Sequence, residues 1–447
     1  MNKIKFLGAS GMVTGSCYFL SDESDRGIII DMGMFQGTKE EVEQNFEDLD
    51  VDFRQVDGVI LTHAHLDHCG RLPLLYRGGY TGKIYMTKAT RKLTELTLRD
   101  AAKIAREETI EHPPLYTEDD VRALLNQMTS VAYHKEFKIG DYSITLVDAG
   151  HLLGSASVII RDIDQTIVFS GDIGNYPSNI LKKTELIGSA DVVVMETTYG
   201  DREHGDEDAS DVLASEINEI ERTGGTLLIP AFSLERTQEL LHRLNHLKSE
   251  DRIKESTAVF VDGPMAIRAT RIYKQFRNLY NDEMFRHARQ EDPYSFPGMK
   301  MTERSRESRD ISDYLGPKVI IAGSGMMTGG RILRHAQEHL PNPKTRLLIV
   351  GYQGEETLGR EIEEGAKEVY INDELVQINA TINKTGSMST HAGQSQLLEW
   401  LKNIEGVKKV FLTHGDEEPR KAFRELIMKE LKMNNVELPL VNQEFSL

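Results

Sequence analysis

Residues 59–70 read VILTHAHLDHCG. The stretch opens on Val59, Ile60 and Leu61, an apolar start that suits a buried strand. It then sets four metal-ligating residues, His63, His65, Asp67 and His68, within six positions. Imidazole nitrogen and carboxylate oxygen together suit zinc, a borderline ion that accepts both. The spacing is not that of a helical HExxH pair, whose histidines sit one turn apart on one face. A turn just past a strand end splays such a run, so that His63 and His65 face one ion while Asp67 and His68 face another. A solvated polar loop accounts for one histidine. Three histidines and an aspartate directly after an apolar strand point to metal.

The run HxHxDH resembles the signature of the metallo-β-lactamase superfamily. That resemblance implies a lone histidine, a bridging aspartate and a last histidine further along. His151 follows ITLVDAG, Asp172 sits in FSGDIG and His414 in FLTHGD, each at the end of an apolar strand. Alone, His151 reads as a core or loop histidine and Asp172 as a turn former. A bridging carboxylate needs the same exposed strand-end position. The implied ligands are His63, His65, His151 and Asp172 for one zinc ion. For a second they are Asp67, His68, Asp172 and His414.

The chain has 447 residues, room for two or three domains. Hydrophobic residues make up 39% and charged residues 28%, which fits a soluble globular protein. The N-terminal MNKIKFLGASG lacks the apolar core of a signal peptide, and no apolar run reaches the length of a membrane span. No membrane partner is expected. Two cysteines, Cys17 and Cys69, make no disulfide framework and suggest the cytoplasm; Cys69 reads as packing. The formal net charge of −18 argues against nonspecific nucleic-acid binding through a broad basic surface. Bound dications or a narrow basic groove leave a nucleic-acid substrate open. The sequence also leaves a homodimer open.

Short strands are expected at 3–7, 16–20, 27–31 and 83–87, with a helix from Lys88 to Glu108. HPPLYTEDD breaks that helix, and Thr117 with Asp120 resembles a helix N-cap. Three strands follow, in YSITLVDAGH, SASVIIRD and QTIVFSGD, then DVVVM ending at Glu196. The acidic GDREHGDEDASD looks like a domain boundary. Beyond it the rhythm changes. Helices 209–222, 234–248, 265–280 and 330–339 alternate with the strands TLLIPAF, TAVFVDGP, KVIIAGSG and RLLIVGYQ, a parallel-sheet pattern. Asn281 to Arg309 reads as a polar surface excursion. From Glu368 the chain returns to strands, with helices at 393–404 and 419–432.

The second half narrows the resemblance. IPAFSLERTQELL, GSGMMTGGR and VGYQGEETLGR look like the marker segments of the β-CASP group, nucleic-acid-processing nucleases within that superfamily. The implied fold class is α/β: a metallo-β-lactamase αββα sandwich with an inserted parallel-sheet β-CASP domain. The expected domains are 1–205 for the first part of the sandwich, 206–367 for the insert and 368–447 for the return. The family pattern assigns roles to Glu196 and to His391, in Ser389-Thr390-His391-Ala392. The sequence departs from that pattern at Gly393, where the family often has Asp, and at Asp416, where it often has Glu. His391 taken alone is equally a loop histidine.

The resemblance implies a zinc-dependent ribonuclease, endo- or exonucleolytic, acting on single-stranded RNA. Asp67, Glu196 and His391 are its expected catalytic side chains, with His391 as the acid that protonates the leaving oxygen. Ser233, Arg236, Ser324, Gly325, Arg331 and Arg360 are candidates to hold the RNA backbone, since glycine-rich strand-to-helix turns present N–H groups to phosphate. Solvated arginines at helix starts explain the three arginines as well. GSGMMTGGR lacks the lysine of a P-loop. His242 with His246, and His335 with His339, stand at helical spacing without the glutamate of HExxH and read as surface or packing residues. The rival functions are a small-molecule ester or lactone hydrolase on the same dinuclear centre, which lacks such an insert, and a noncatalytic RNA-binding scaffold, from which ligands are lost.

Overall fold

The computed structural model describes residues 2–107, 113–205 and 207–447. The expected end of the long helix at Glu108 and the start of its break at His112 lie outside the described residues, as does Asp206. The helix itself runs Lys88–Glu107. The chain divides into two compact units, 1–203 with 391–447, and 204–390.

The first unit is built on two seven-stranded sheets. One runs in the order 444–446, 3–6, 18–21, 27–30, 56–60, 83–87 and 128–131. The other runs 436–437, 409–413, 192–196, 166–169, 156–161, 142–148 and 137–139. Strand alternation sorts the apolar runs to opposite faces. Ile28 and Ile30 meet Ile144, Ile160, Phe169 and Phe411 between the sheets. Ile29 instead packs under the helices on the outer face, with Val59, Leu72 and Leu98. In the second sheet Val192 and Val194 point inward, and Val193 and Met195 pack outward against Leu397, Trp400 and Phe423. Burial on both faces explains why these strands are continuously apolar. The result is the helix–sheet–sheet–helix sandwich.

The second unit holds a six-stranded parallel sheet, ordered 299–302, 258–262, 318–322, 226–230, 345–349 and 381–384, with crossover helices. Two sequence expectations need correction. The return to the sandwich begins at His391 rather than at 368, because strand Thr381–Lys384 completes the parallel sheet and Glu368–Gln377 forms a hairpin in the same unit. Asn281–Arg309 is not a surface excursion. It carries helix Asp282–Gln290 and edge strand Met299–Thr302, and it buries Met284, Ala288 and Tyr294. Most of its few apolar residues serve the core, Phe285 being exposed, which a polar composition conceals. Among the described residues no helix is long and apolar enough to cross a membrane.

Candidate metal centre

Sheet direction gathers the site. Gly27–Ile30 and Val56–Ile60 are parallel neighbours, so Asp31 and the turn from Leu61 to His68 leave the sheet at the same edge. In the facing sheet Thr166–Phe169, Val192–Glu196 and Lys409–Thr413 are parallel, and their ends deliver Asp172, Glu196 and His414. Tyr142–Asp148 runs the same way, two antiparallel pairings along, and delivers His151. The residues after His65 close into one helical turn, Leu66–Cys69, which carries Asp67 and His68.

Two donor groups result. His65 Nδ1 lies 3.2 Å from His63 Nε2 and 3.2 Å from His151 Nε2. Asp172 Oδ2 stands 3.3 Å from His63 Nε2 and 3.5 Å from His151 Nε2. In the second group, Asp172 Oδ1 is 3.2 Å from His68 Nε2 and 3.7 Å from His414 Nε2, and Asp67 Oδ2 is 3.3 Å from His414 Nε2. Thus one carboxylate contributes an oxygen to each group. All seven side chains named by the sequence stand together here.

The donor set fits metal ions. Bonds of about 2.0–2.1 Å at tetrahedral angles place ligand atoms about 3.3 Å apart, close to the spacings above. Both oxygens of Asp172 are fully buried, and no donor meets them with hydrogen-bond geometry. A buried carboxylate left so is costly without a cation. Burial pushes the pKa of His63 down to about 3 and that of His65 to about 4, keeping their lone pairs available. Burial also works against charge on His68 and His414, but Asp172, with Asp31 and Asp67, overcomes it and raises both. The pocket therefore favours positive charge at its centre.

Beside the donors stands a third pair. Glu196 is buried, accepts a hydrogen bond from the Ile173 amide at 2.6 Å, and lies 3.2 Å from His391 Nδ1. The next residue, Ala392, donates its amide to Ile173 O, so the segment carrying His391 is pinned to the Asp172 loop. Burial opposes charge on His391, and Glu196 with Asp172 reverses this to a pKa of about 9. Helix Gln394–Lys402 starts at Gly393, with no side-chain cap from that residue. Glu203 takes over, accepting from the Ser395 amide at 2.8 Å, which compensates the missing aspartate.

Sequence reasoning missed Asp31. Its carboxylate receives Thr62 N–H at 2.7 Å and Thr62 Oγ1 at 2.8 Å, and it lies 2.8 Å from His68 Nδ1. This carboxylate–histidine pair orients the ring and strengthens it as a ligand. An aspartate ending the strand GIIID was the available signal. Thr198 Oγ1 plays a similar part at His414 Nδ1, 3.1 Å away. Cys69 is buried in the outer core, with no ligating role.

The chain matches the metallo-beta-lactamase superfamily over residues 11–214, the Beta-Casp domain over 237–362 and the Zn-dependent metallo-hydrolase RNA specificity domain over 375–439. It is 38% identical to Ribonuclease TTHA0252 of Thermus thermophilus, covering 94% of both chains. The chain belongs to the β-CASP group of the metallo-β-lactamase superfamily. An RNase J-like protein of Methanocaldococcus jannaschii is 30% identical over 96% of both chains. Transcription termination factor FttA of the same organism is 30% identical over 96% of this chain and 69% of its own length. A solved structure of a protein of unknown function from Enterococcus faecalis covers 100% of both chains at a TM-score of 0.55 and 13% identity, which speaks to fold alone.

The candidate backbone-holding residues of this β-CASP chain divide in the second unit. Ser233 follows strand Thr226–Pro230, and Ser324 with Gly325 follows its neighbour Lys318–Ala322, at the carboxyl edge where parallel sheets take ligands. Arg360 is half exposed and pairs with Glu364 at 2.6 Å. Arg331 is spent internally: it donates to Asp262 at 2.7 Å and to the carbonyls of Thr302 and Glu303. Arg236 is buried and pairs with Glu239 at 2.9 Å. Both thus have partners inside the second unit, Arg331 on a buried carboxylate and Arg236 at a helix start. Phe232, 40% exposed beside Gly325 at this edge, went unnoticed in the sequence.

Proposed function

We propose that this chain is a zinc-dependent ribonuclease hydrolysing phosphodiester bonds of single-stranded RNA. The observation that carries the reading is seven donor side chains converging beside the Glu196–His391 pair. The names of relatives that align over nearly the whole chain support RNA as the substrate. His63, His65, His151 and Asp172 hold one zinc ion, and Asp67, His68 and His414 hold a second with the shared Asp172. Zinc at these positions supplies Lewis acidity, lowering the pKa of water toward about 7 and offsetting phosphate charge.

The remaining work belongs to the chain. Asp31 and Thr198 fix the rings of His68 and His414. Glu196 engages His391 Nδ1, so the ring carries the proton for the leaving oxygen on Nε2. Ser233, Ser324, Gly325 and Arg360 hold the phosphate backbone, and Phe232 offers a face on which a base stacks.

The test is incubation with 5′-labelled and 3′-labelled single-stranded RNA, with and without a chelator. Cleavage should disappear on chelation, return with zinc, and be lost in Asp67→Ala while the melting curve stays cooperative. Undiminished cleavage by Asp67→Ala and by chelated protein overturns the reading. A ladder, a mononucleotide or a discrete fragment names the mode of attack. Ester hydrolysis without RNA cleavage would move the function to small molecules.

A further inference from the structure

The β-CASP insert holds a second cluster of imidazoles, remote in sequence from the seven donors and from the Glu196–His391 pair. His242 and His246 stand one turn apart on helix Arg236–Ser249, and His287 comes from helix Asp282–Gln290. The segment carrying His287 is the one whose sequence looked like surface chain. His242 Nε2 lies 3.0 Å from His246 Nε2 and 3.2 Å from His287 Nδ1. His287 Nε2 faces the Glu291 carboxylate at 2.9 Å.

Proton bookkeeping argues against a simple hydrogen-bonded trio. Glu291 as a carboxylate accepts only, so His287 places its proton on Nε2 and turns the lone pair of Nδ1 toward the cluster. His246 presents Nε2 to the same point. A single proton on His242 Nε2 serves one of its two neighbours well, whereas a cation serves all three nitrogens. His242 is 3% exposed, so its Nε2 meets the other two nitrogens away from bulk water. The 3.0 and 3.2 Å separations are near the edge of a ligand tetrahedron for bonds of about 2.0–2.1 Å. They also match the 3.2 Å spacing at His63, His65 and His151. Glu291 supplies the carboxylate that commonly orients a ligating imidazole.

We propose that His242 Nε2, His246 Nε2 and His287 Nδ1 form an additional divalent transition-metal site in the insert, of the three-imidazole class that takes zinc, cobalt or nickel. Its fourth position faces the half-buried side of His246 and His287 and takes water or an added ligand. Metal there clamps helix Asp282–Gln290 to helix Arg236–Ser249. The site is independent of the ribonuclease reading, because none of its ligands belongs to the His63 centre.

The experiment is a zinc titration of the chelator-stripped full chain, with bound metal measured by plasma emission and by calorimetry. The wild type should bind one more equivalent at micromolar zinc than His246→Gln/His287→Gln, whatever the number bound at the other centre. Equal stoichiometry in the two proteins overturns the proposal. So does occupancy reached only at millimolar zinc, the mark of an adventitious ion only. If the double variant fails to fold, single His246→Gln and an anomalous-scattering map of wild-type crystals at the zinc edge decide the question. A peak bounded by the three rings supports the site, and its absence at micromolar zinc overturns it.

Discussion

His65 Nδ1 stands 3.2 Å from the nitrogens of His63 and His151; His242 Nε2 stands 3.0 and 3.2 Å from those of His246 and His287. The surroundings differ. The first trio adds the buried carboxylate of Asp172 and adjoins Asp67 and the Glu196–His391 pair. The second has, among the described residues, the Glu291 carboxylate on His287, with its side chain 62% exposed. Imidazoles alone hold an ion, while buried carboxylates and a positioned acid beside them prepare it for hydrolysis. The first trio also hangs on strand ends from separate segments, and the second on two helices.

The largest effect expected is on the chemistry of the first trio. His391→Ala should lower kcat for RNA cleavage by about 10²- to 10⁴-fold, with metal content unchanged by emission analysis. Lost metal in that variant would make His391 a ligand and dissolve the distinction. Next comes the fate of charge in the insert. Arg331→Leu leaves the buried Asp262 short of a partner and should cost about 3 kcal/mol in a urea melt. Arg360→Leu should fall within about 0.5 kcal/mol, because its ion pair is exposed. Equal losses would refute the division between structural and backbone-holding arginines.

A smaller effect tests the carboxylates behind the rings. Asp31→Asn should weaken metal retention about 10- to 100-fold in chelator competition. Glu291→Gln should change it by less than about 10-fold, since water screens that carboxylate. A last effect concerns the buried carboxyl of Glu235 in the insert, where burial outweighs the neighbouring Arg236. Glu235 accepts a hydrogen bond from Tyr273, and burial raises its pKa to about 8. The folded protein therefore holds a proton that the unfolded chain has released. Stability contributed by that proton is complete below the unfolded pKa of 4.5 and is lost as pH rises through about 8. Glu235→Gln should gain steadily on the wild type as pH rises from about 5 to about 8 in melting experiments. A constant difference across that range would mean that Glu235 ionises normally.

The legible parts of the chain were those in which chemistry and local pattern coincide. His63, His65, Asp67 and His68 are adjacent in sequence, and His151, Asp172 and His414 each follow a continuous apolar strand. Where a role depends on a partner supplied by another segment, the pattern says little. Asp31 gains its role only from Thr62 and His68, which close on it from another segment. Arg331 looked like a phosphate ligand until Asp262 claimed it. The boundary at 368 failed because strand Thr381–Lys384 carries no mark of which sheet it joins.

By itself the sequence determined the donor types, their order along the chain and the alternation that buries each strand on two faces. These follow from side-chain chemistry and from the periods of helix and strand, which are local. Only the tertiary structure decided which donors share an ion-sized space, which arginines are already spent, and that His287 meets His242 and His246. Distances across the fold come from packing among many residues, and no single stretch of chain encodes them.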